Sequence, residues 1–229
     1  MRVEQLWSED NSHDFQKGSS NPPSWPNEML VKVLSSSSYS SLGKAIPKNA
    51  KVLEVGIFSG NNARFLMDLG FQVHGSEVNE NLINLCRKNL SRLDEDFPTL
   101  VIGTNNNIPY PDSTFDLLIS INTIHYSPGL ESDLAIKEFR RVLKPGGIAI
   151  IETAGNKHFA VRASERISER NWIFGIEGFR KGSSVGFFDN EAHFKNSLEN
   201  QFKLVEICSR TEEYPERQLH FYMSICQKE

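Results

Sequence analysis

The sequence predicts an α/β domain with a seven-stranded, mostly parallel sheet, helices on both faces and an antiparallel pair of strands at its C-terminal end. Short apolar runs alternate with amphipathic stretches between residues 51 and 153, and this alternation is typical of a parallel sheet covered by helices. Two further apolar runs, 202–208 and 220–226, follow without a helical pattern between them, which favours an antiparallel pair at one edge. A length of 229 residues with 38% hydrophobic composition supports one large core.

Composition argues against several other classes of protein. The 25 Lys and Arg against 29 Asp and Glu give a net charge of -4, which argues against a dedicated nucleic-acid binder. The three cysteines, Cys86, Cys208 and Cys226, are widely spaced and predict neither a disulfide framework nor a thiolate zinc site. No grouping of His, Asp and Glu has the spacing of metal ligands, so no metal is expected. Because the first residues lack the apolar run of a signal peptide, we expect a cytoplasmic protein without a membrane partner, either monomeric or homodimeric.

The parallel part of the sheet is predicted from five apolar runs: 51–55, 71–75, 99–103, 115–120 and 147–153. The fourth run is almost continuously apolar, as expected for a strand that is covered on both faces. Apolar residues at helical spacing predict helices between and after these runs, at 60–69, 80–93, 130–143 and 189–200. Lys-Pro-Gly-Gly after residue 143 ends the third helix, because proline cannot continue a helix and glycine adopts turn conformations.

The chain is predicted to have two parts. Residues 1–46 form an N-terminal arm and a helix that begins at Pro26, and we expect this part to cover the active site. Residues 47–229 form the α/β domain, with an insertion at 154–188 after the fifth strand. Charged residues recur at helical spacing over 164–170 within the insertion, and they predict a solvated helix of mixed charge.

The turn after the first strand predicts a nucleoside-binding site. Gly56 and Gly60 have no Cβ, so the chain can turn sharply and approach a ligand there. The first amides of the following helix favour a carboxylate or phosphate. Glu77 ends the second strand, where a carboxylate can accept hydrogen bonds from ribose hydroxyls. Phe58 and Asn61 occupy the other two glycine positions of the dinucleotide fingerprint, which disfavours NAD(P).

Four motifs in order resemble those of class I S-adenosylmethionine-dependent methyltransferases, most closely the small-molecule branch known as methyltransferase type 11. They are EVGIFSG at 54–60, GSEVN at 75–79, IPYPDSTFDLLIS at 108–120 and FRRVLKPGGIAIIET at 139–153. The resemblance implies a Rossmann-like fold, S-adenosylmethionine as cofactor and S-adenosylhomocysteine as product. Phe58 and Thr104 stand where this family usually has Gly and Asp.

The resemblance also implies a set of cofactor contacts. The methionine part would lie beside Glu54 and the turn residues Gly56, Ile57, Phe58, Gly60 and Asn61. The ribose would contact Glu77, and the adenine would contact Val78 together with Thr104 or Asn105. The floor near the sulfonium would be formed by Ser120 to Asn122.

The fourth strand is followed by His125 and Tyr126, which are the candidate catalytic residues. In methyl transfer the protein mainly aligns nucleophile, methyl and sulfur, and an ordinary histidine pKa near 6.5 suits a general base. His125 is therefore a candidate base, with the equal alternative that it only covers the cofactor. Tyr126 would shape the pocket or offer its ring to the sulfonium.

The insertion suggests the kind of acceptor. It has six basic residues against three acidic ones, together with Trp172, Phe174 and Phe179, and arginine suits carboxylate and phosphate. We therefore expect O- or N-methylation of a small polar acceptor, such as a sugar, a nucleotide-sugar or another anionic metabolite. Two alternatives stay open, a cofactor-binding protein without catalysis and an NAD(P)-dependent oxidoreductase.

Overall fold

The computed structural model describes residues 25–36, 45–91, 98–176 and 181–229. The predicted arm up to residue 24, the end of the predicted first helix and Phe179 lie outside these ranges. The helices are α1 Glu28–Ser35, α2 Asn61–Asp68, α3 Glu80–Leu90, α4 Glu131–Val142, α5 Phe159–Arg162 and α6 Glu191–Glu199. The strands are β1 Lys51–Val55, β2 Gln72–Glu77, β3 Thr99–Ile102, β4 Phe115–Ile121, β5 Leu143–Ala154, β6 Glu165–Ser168, β7 Asn171–Ile173, β8 Ser184–Val185, β9 Lys203–Tyr214 and β10 Arg217–Gln227.

The main sheet has seven strands in the order β3-β2-β1-β4-β5-β10-β9. Strands β1 to β5 run parallel to one another, whereas β10 is antiparallel to both β5 and β9. The predicted fold class is therefore confirmed, including the antiparallel C-terminal pair. Strand order reverses between β1 and β4, and ligands of open α/β sheets bind outside the carboxyl ends of the strands at such a point.

Apolar layers cover both faces of this sheet. One layer joins the sheet to α1, α2 and α3, and the other joins it to α4 and α6. Asparagine side chains cap three of these helices at the N-terminus: Asn27 accepts from Leu30 N, Asn79 from Leu82 N and Asn190 from His193 N. Such caps satisfy backbone donors that a helix start leaves unpaired, so the sequence specifies where these helices begin.

The insertion differs from its prediction. Residues 165–168 form strand β6 rather than a helix, and β6, β7 and β8 make a separate three-stranded antiparallel sheet. The charge spacing was misleading because a helix also needs an apolar stripe, and Ile167 is exposed. Trp172 and Val185 pair across β7 and β8 and are buried, so their packing fixes this region.

Strand β5 is also longer than predicted. It begins at Leu143, directly after α4, and Leu143 pairs with Phe115 of β4 before a register shift. The Lys-Pro-Gly-Gly segment therefore lies inside an irregular strand start. Within the described ranges, no helix is both long and apolar enough to cross a membrane. The same ranges hold no group of three or more His, Cys, Asp or Glu arranged to hold a metal ion.

Candidate active site

A cavity of about 1100 Å³ lies at the carboxyl ends of the strands where the order reverses. The side toward β1, β2 and β3, here named the glycine-turn half, is lined by Glu54, Val55, Gly56, Ile57, Phe58, Asn61, Asn62, Ser76, Glu77, Val78, Gly103, Thr104, Asn105 and Asn106. The side toward β4, β5 and the insertion, here named the aromatic half, includes Trp25, His125, Tyr126, His158, Phe159, Asn171, Phe174, Ser184, Phe187 and Phe221. Asn122 and Thr123 lie between the two halves on the β4 exit.

The turn after β1 is held against the neighbouring strands. Gly56 N and Ile57 N both donate to Ser76 O, at 2.9 and 3.2 Å. Gly56 has a φ of +73°, and a Cβ there would lie 2.6 Å from the Thr123 hydroxyl oxygen. The Thr123 hydroxyl also lies 3.1 Å from the Val55 carbonyl oxygen, to which it donates. Glycine is therefore required at position 56 both by the backbone conformation and by the β4 exit that packs on it.

Two predicted cofactor residues do not line the cavity. Gly60 has a φ of +76°, and a Cβ there would lie 2.9 Å from Leu90 and 3.0 Å from Cys86. The absence of a side chain at Gly60 therefore lets α3 pack closely and does not make room for a ligand. Ser120 is fully buried within β4 and does not line the cavity, whereas Ile121 and Asn122, which follow it at the strand exit, do. The other predicted cofactor residues all lie on the lining.

Glu77 presents a fixed carboxylate to the glycine-turn half. Its Oε1 accepts from Phe58 N at 3.0 Å, and its Oε2 accepts from Val78 N at 2.9 Å. Phe58 has a φ of +48°, so this residue takes a left-handed conformation that favours glycine. The hydrogen bond to Glu77 helps to hold it. A carboxylate at the end of this strand suits ribose hydroxyls, as the sequence predicts for Glu77.

Glu54 is the most unusual group of the cavity. Its Oε1 accepts from Asn62 Nδ2 at 2.8 Å, whereas its buried Oε2 has no hydrogen-bond partner in the described part of the chain. Burial raises the pKa of Glu54 to about 8. A buried polar atom without a partner is costly, so this carboxyl group suits a ligand that brings a donor or a positive charge.

Sequence analysis missed the polar bridge that attaches α1 to this cavity. Asn27 N donates to Asn62 Oδ1 at 2.8 Å, and Asn27 Nδ2 donates to Glu152 Oε1 at 2.8 Å. Burial raises the pKa of Glu152. Asn61 Nδ2 also donates to Trp25 O at 2.7 Å. The sequence could identify Asn27 as a helix cap, but no local pattern indicates its contact with a residue on β5.

The loop after β3 is fixed against the β4 exit. Asn105 Nδ2 donates to Thr123 O at 3.0 Å and to Ser127 Oγ at 2.9 Å. Thr104 Oγ1 donates to Asn106 Oδ1 at 2.8 Å. Thr104 and Asn105 therefore lie on the cavity as predicted, and Asn105 also holds two loops together.

His125 and Tyr126 lie in a 3-10 turn, Ile124–Tyr126, on the aromatic half. Their ring centroids are 4.4 Å apart, and the His125 ring stacks on Phe187 at 6.2 Å. Gly186 N donates to His125 O at 2.7 Å, so the end of the insertion holds this turn. The insertion thereby determines where the candidate base lies.

His158 is a cavity residue for which the sequence offered no partner. Its Nδ1 accepts from Ala160 N at 3.1 Å, and burial lowers its pKa to about 4. The ring is therefore neutral at pH 7, and because Nδ1 is the acceptor, Nε2 carries the proton. His158 can thus donate a hydrogen bond but does not suit the role of a base.

The basic residues of the insertion that the structure describes do not line the cavity. Three arginines are bound elsewhere: Arg162 to Gln218, Arg166 to Asp189 and Arg170 to Asp133. Among the described residues that line the cavity, there is no lysine or arginine. The insertion was expected to place basic side chains over an anionic acceptor, but Arg162, Arg166 and Arg170 do not form such a cover.

Comparisons with known proteins show similarity to methyltransferases. The family model of the methyltransferase domain matches residues 53–151. A fatty-acid O-methyltransferase from Mycolicibacterium smegmatis is 31% identical over 113 residues, which are 48% of this chain and 39% of that protein. The chain spans less than half the length of several curated relatives that it matches.

Solved structures share the fold over nearly the whole chain. Protein PH0226 from Pyrococcus horikoshii has a TM-score of 0.68 at 20% identity, covering 93% of this chain and 99% of that one. A Burkholderia thailandensis 1,6-didemethyltoxoflavin-N1-methyltransferase, solved with 1,6-didemethyltoxoflavin and S-adenosylhomocysteine, has a TM-score of 0.66 at 15% identity. That alignment covers 96% of this chain and 84% of the other.

The strand order and the cavity at its reversal are those of an open α/β protein that binds its ligand at the carboxyl ends of the strands. Residues 53–151 match a methyltransferase-domain family, in agreement with the motifs, and a solved methyltransferase that shares the fold was determined with S-adenosylhomocysteine. The lining fits S-adenosylmethionine, since Glu77 suits ribose hydroxyls and the unpartnered Glu54 oxygen suits a cationic group.

Proposed function

We propose that the protein transfers a methyl group from S-adenosylmethionine to an oxygen or nitrogen of a small-molecule acceptor. The observation that carries the proposal is one continuous cavity with two unlike halves. The glycine-turn half has the fixed carboxylate of Glu77, and the aromatic half has a histidine on the β4 exit. A transferase needs this juxtaposition, because donor and acceptor must be aligned in one enclosed site.

Each half has its own task in the proposed reaction. Glu77 accepts hydrogen bonds from the ribose, and Glu54 faces the cationic part of the cofactor. When bound, the cofactor supplies an electrophilic methyl group on its sulfonium. His125 takes the proton of the acceptor's O–H or N–H, and Tyr126 forms the wall beside it. The insertion positions both side chains through the hydrogen bond from Gly186 N to His125 O.

The proposed acceptor enters from the aromatic half. The segment from Trp25 to α1 and the insertion at 154–188 cover this half, since both contribute to its lining. The anionic or sugar-like acceptor expected from composition loses its main support, because Arg162, Arg166 and Arg170 have other partners. The names of similar proteins include a fatty acid and 1,6-didemethyltoxoflavin, which is in keeping with the aromatic rings that line this half.

Calorimetry with S-adenosylhomocysteine and a turnover assay test this function together. We expect heat of binding, and we expect S-adenosylhomocysteine to form from S-adenosylmethionine when a pooled metabolite extract is added. NADPH serves as the control ligand and gives no heat. Binding without extract-dependent turnover would support the alternative of a non-catalytic binding protein, and no binding would refute the proposal.

A further inference from the structure

The aromatic half carries a further inference, which rests on the proposed function. We infer that the acceptor is a flat, uncharged aromatic ring system bearing an O–H or N–H that donates to Asn171 Oδ1. Asn171 is then a specificity-determining residue on strand β7 of the insertion. The inference depends on the shape of the wall, its charge and one buried oxygen.

The wall of this half is built from aromatic rings. They come from separate parts of the chain: Trp25 before α1, Tyr126 after β4, His158 and Phe159 at α5, Phe174 and Phe187 in the insertion, and Phe221 on β10. Aromatic rings interact best with other rings in offset-stacked or edge-to-face arrangements. A flexible chain would also bury apolar surface here, but it would lose more conformational freedom on binding.

The charge of the wall excludes an anionic ring. The described lining contains no lysine or arginine, whereas Glu131 lies on it at the start of α4. An anion that enters such a pocket loses its hydration without gaining a cationic partner. The arginines nearest in sequence to Asn171 are occupied, since Arg170 donates to both carboxylate oxygens of Asp133 at 2.7 Å.

Asn171 adds a hydrogen-bond acceptor to the aromatic wall. Its Oδ1 is buried and has no hydrogen-bond partner in the described part of the chain, although the residue lies on the cavity. Leaving a buried acceptor unpaired is unfavourable, and a donor from the ligand would remove this penalty. The neighbouring Trp172 packs on Phe187 at 5.5 Å, so the strand that carries Asn171 is firmly placed.

A matched series of probes tests the inference on protein saturated with S-adenosylhomocysteine. 2-Naphthol has the flat ring and the donor, 2-methoxynaphthalene lacks the donor, 6-hydroxy-2-naphthoate keeps the donor and adds a negative charge, and 1-decanol replaces the ring by a chain. By calorimetry we expect 2-naphthol to bind about tenfold more tightly than each of the other three, since one unpaired polar group has an effect of that size. Equal or tighter binding of the carboxylate, the chain or the methoxy compound would overturn the inference.

Variants of Asn171 locate the donor contact. We expect Asn171→Ala to weaken 2-naphthol binding about tenfold and to leave 2-methoxynaphthalene and S-adenosylhomocysteine binding unchanged. Asn171→Asp keeps an acceptor oxygen, so we expect it to bind 2-naphthol with normal affinity. This variant also tests the contact if the alanine variant folds poorly. Ser168→Ala, on the neighbouring strand of the same hairpin, is the control and changes nothing.

The outcomes separate the inference from the proposed function. Failure of wild-type protein to bind S-adenosylhomocysteine refutes the proposed function. Normal cofactor binding with an equal loss of both naphthalene probes in Asn171→Ala refutes the inference alone, because Asn171 would then only shape the wall. Retained 2-naphthol affinity in Asn171→Ala would refute it as well.

Discussion

The two halves of the cavity are built in different ways. The glycine-turn half is formed by consecutive turns at strand ends, and its key contacts join backbone amides to carboxylates, as between Glu77 and Phe58 N. The aromatic half is formed by side chains from distant segments that meet only in the folded protein. The difference indicates that topology specifies the cofactor site, whereas packing of the insertion specifies the acceptor site. Changes in one half should therefore leave the function of the other intact.

The largest effect is expected at Gly56. In Gly56→Ala the new Cβ overlaps Thr123 and the backbone keeps a φ of +73°, so we expect a loss of about 4 kcal/mol in the free energy of unfolding. Cofactor binding should fall with it. Gly70→Ala is the matched control, because Gly70 has a φ of +86° but nothing within 4 Å of its Cβ position. Equal losses in denaturant unfolding of the two variants would show that the Thr123 contact is unimportant.

The second effect separates chemistry from cofactor binding. We expect His125→Ala to lower kcat by about 10²- to 10⁴-fold, as loss of a general base does, while the Kd for S-adenosylhomocysteine stays within about twofold by the proposed division of the cavity. Turnover with the active extract fraction and calorimetry measure the two quantities. His193→Ala, on α6 and outside the lining, controls for loss of an imidazole. Equal losses in kcat and affinity would assign His125 to packing of the cofactor.

The glycine-turn half was largely predictable from sequence. Alternating apolar runs specify the strands, and Gly56 and Glu77 follow those strands directly, so their positions depend on local order. Gly60 and Ser120 were expected near the cofactor but do not line the cavity, because α3 faces Gly60 and the sheet interior surrounds Ser120.

The aromatic half was predictable only in outline. Residues such as Asn171 and Phe221 belong to strands that are far apart in sequence, and nothing local indicates that both reach one cavity. The hydrogen bond from Asn27 to Glu152 likewise joins residues that are far apart in sequence. The hairpin at 165–173 replaced a predicted helix because burial of Trp172, not the spacing of charges, determines its conformation.

The third effect concerns Glu54 and pH. Burial raises its pKa to about 8, so between about pH 5 and pH 8 the folded protein holds a proton that the unfolded chain has lost. Stability of the cofactor-free protein should therefore fall as pH rises through this range, by about 3 kcal/mol in total. Glu54→Gln, which still accepts from Asn62, should make this fall shallower, while the buried Glu152, whose pKa is also raised, keeps its own share. If the free energy of unfolding fell with pH at the same slope in the wild type and in Glu54→Gln, the role of Glu54 in this dependence would be contradicted.

The fourth effect concerns cofactor affinity alone. In Glu77→Gln the amide nitrogen replaces one carboxylate oxygen, and the charge that strengthens the hydrogen bonds is lost. We expect calorimetry to give about 30- to 100-fold weaker binding of S-adenosylhomocysteine, from charged hydrogen bonds worth about 2–3 kcal/mol. Glu80→Gln, on α3 and paired with Arg87, is the control and keeps normal affinity. Unchanged affinity of Glu77→Gln would remove the ribose role.

The smallest effect tests whether the insertion acts on the acceptor half only. Arg170 donates to both oxygens of Asp133 at 2.7 Å and to Ser132 Oγ at 2.9 Å, which attaches the turn between β6 and β7 to the start of α4. The Arg170 side chain is only 11% exposed, so this pair is screened less than a surface ion pair. A double-mutant cycle with Arg170→Ala and Asp133→Asn should give a coupling energy of about 1 kcal/mol in unfolding.

The same variants should affect the acceptor but not the cofactor. A loosened insertion raises the KM for the acceptor by a few-fold, because the wall that carries Asn171 is less well placed, while S-adenosylhomocysteine affinity stays normal. Lys195→Ala, which removes an exposed ion pair with Glu199 on α6, controls for loss of a surface charge. A parallel loss of cofactor affinity in Arg170→Ala would mean that the two halves are coupled through the β4 exit, and the separation drawn between them would fail.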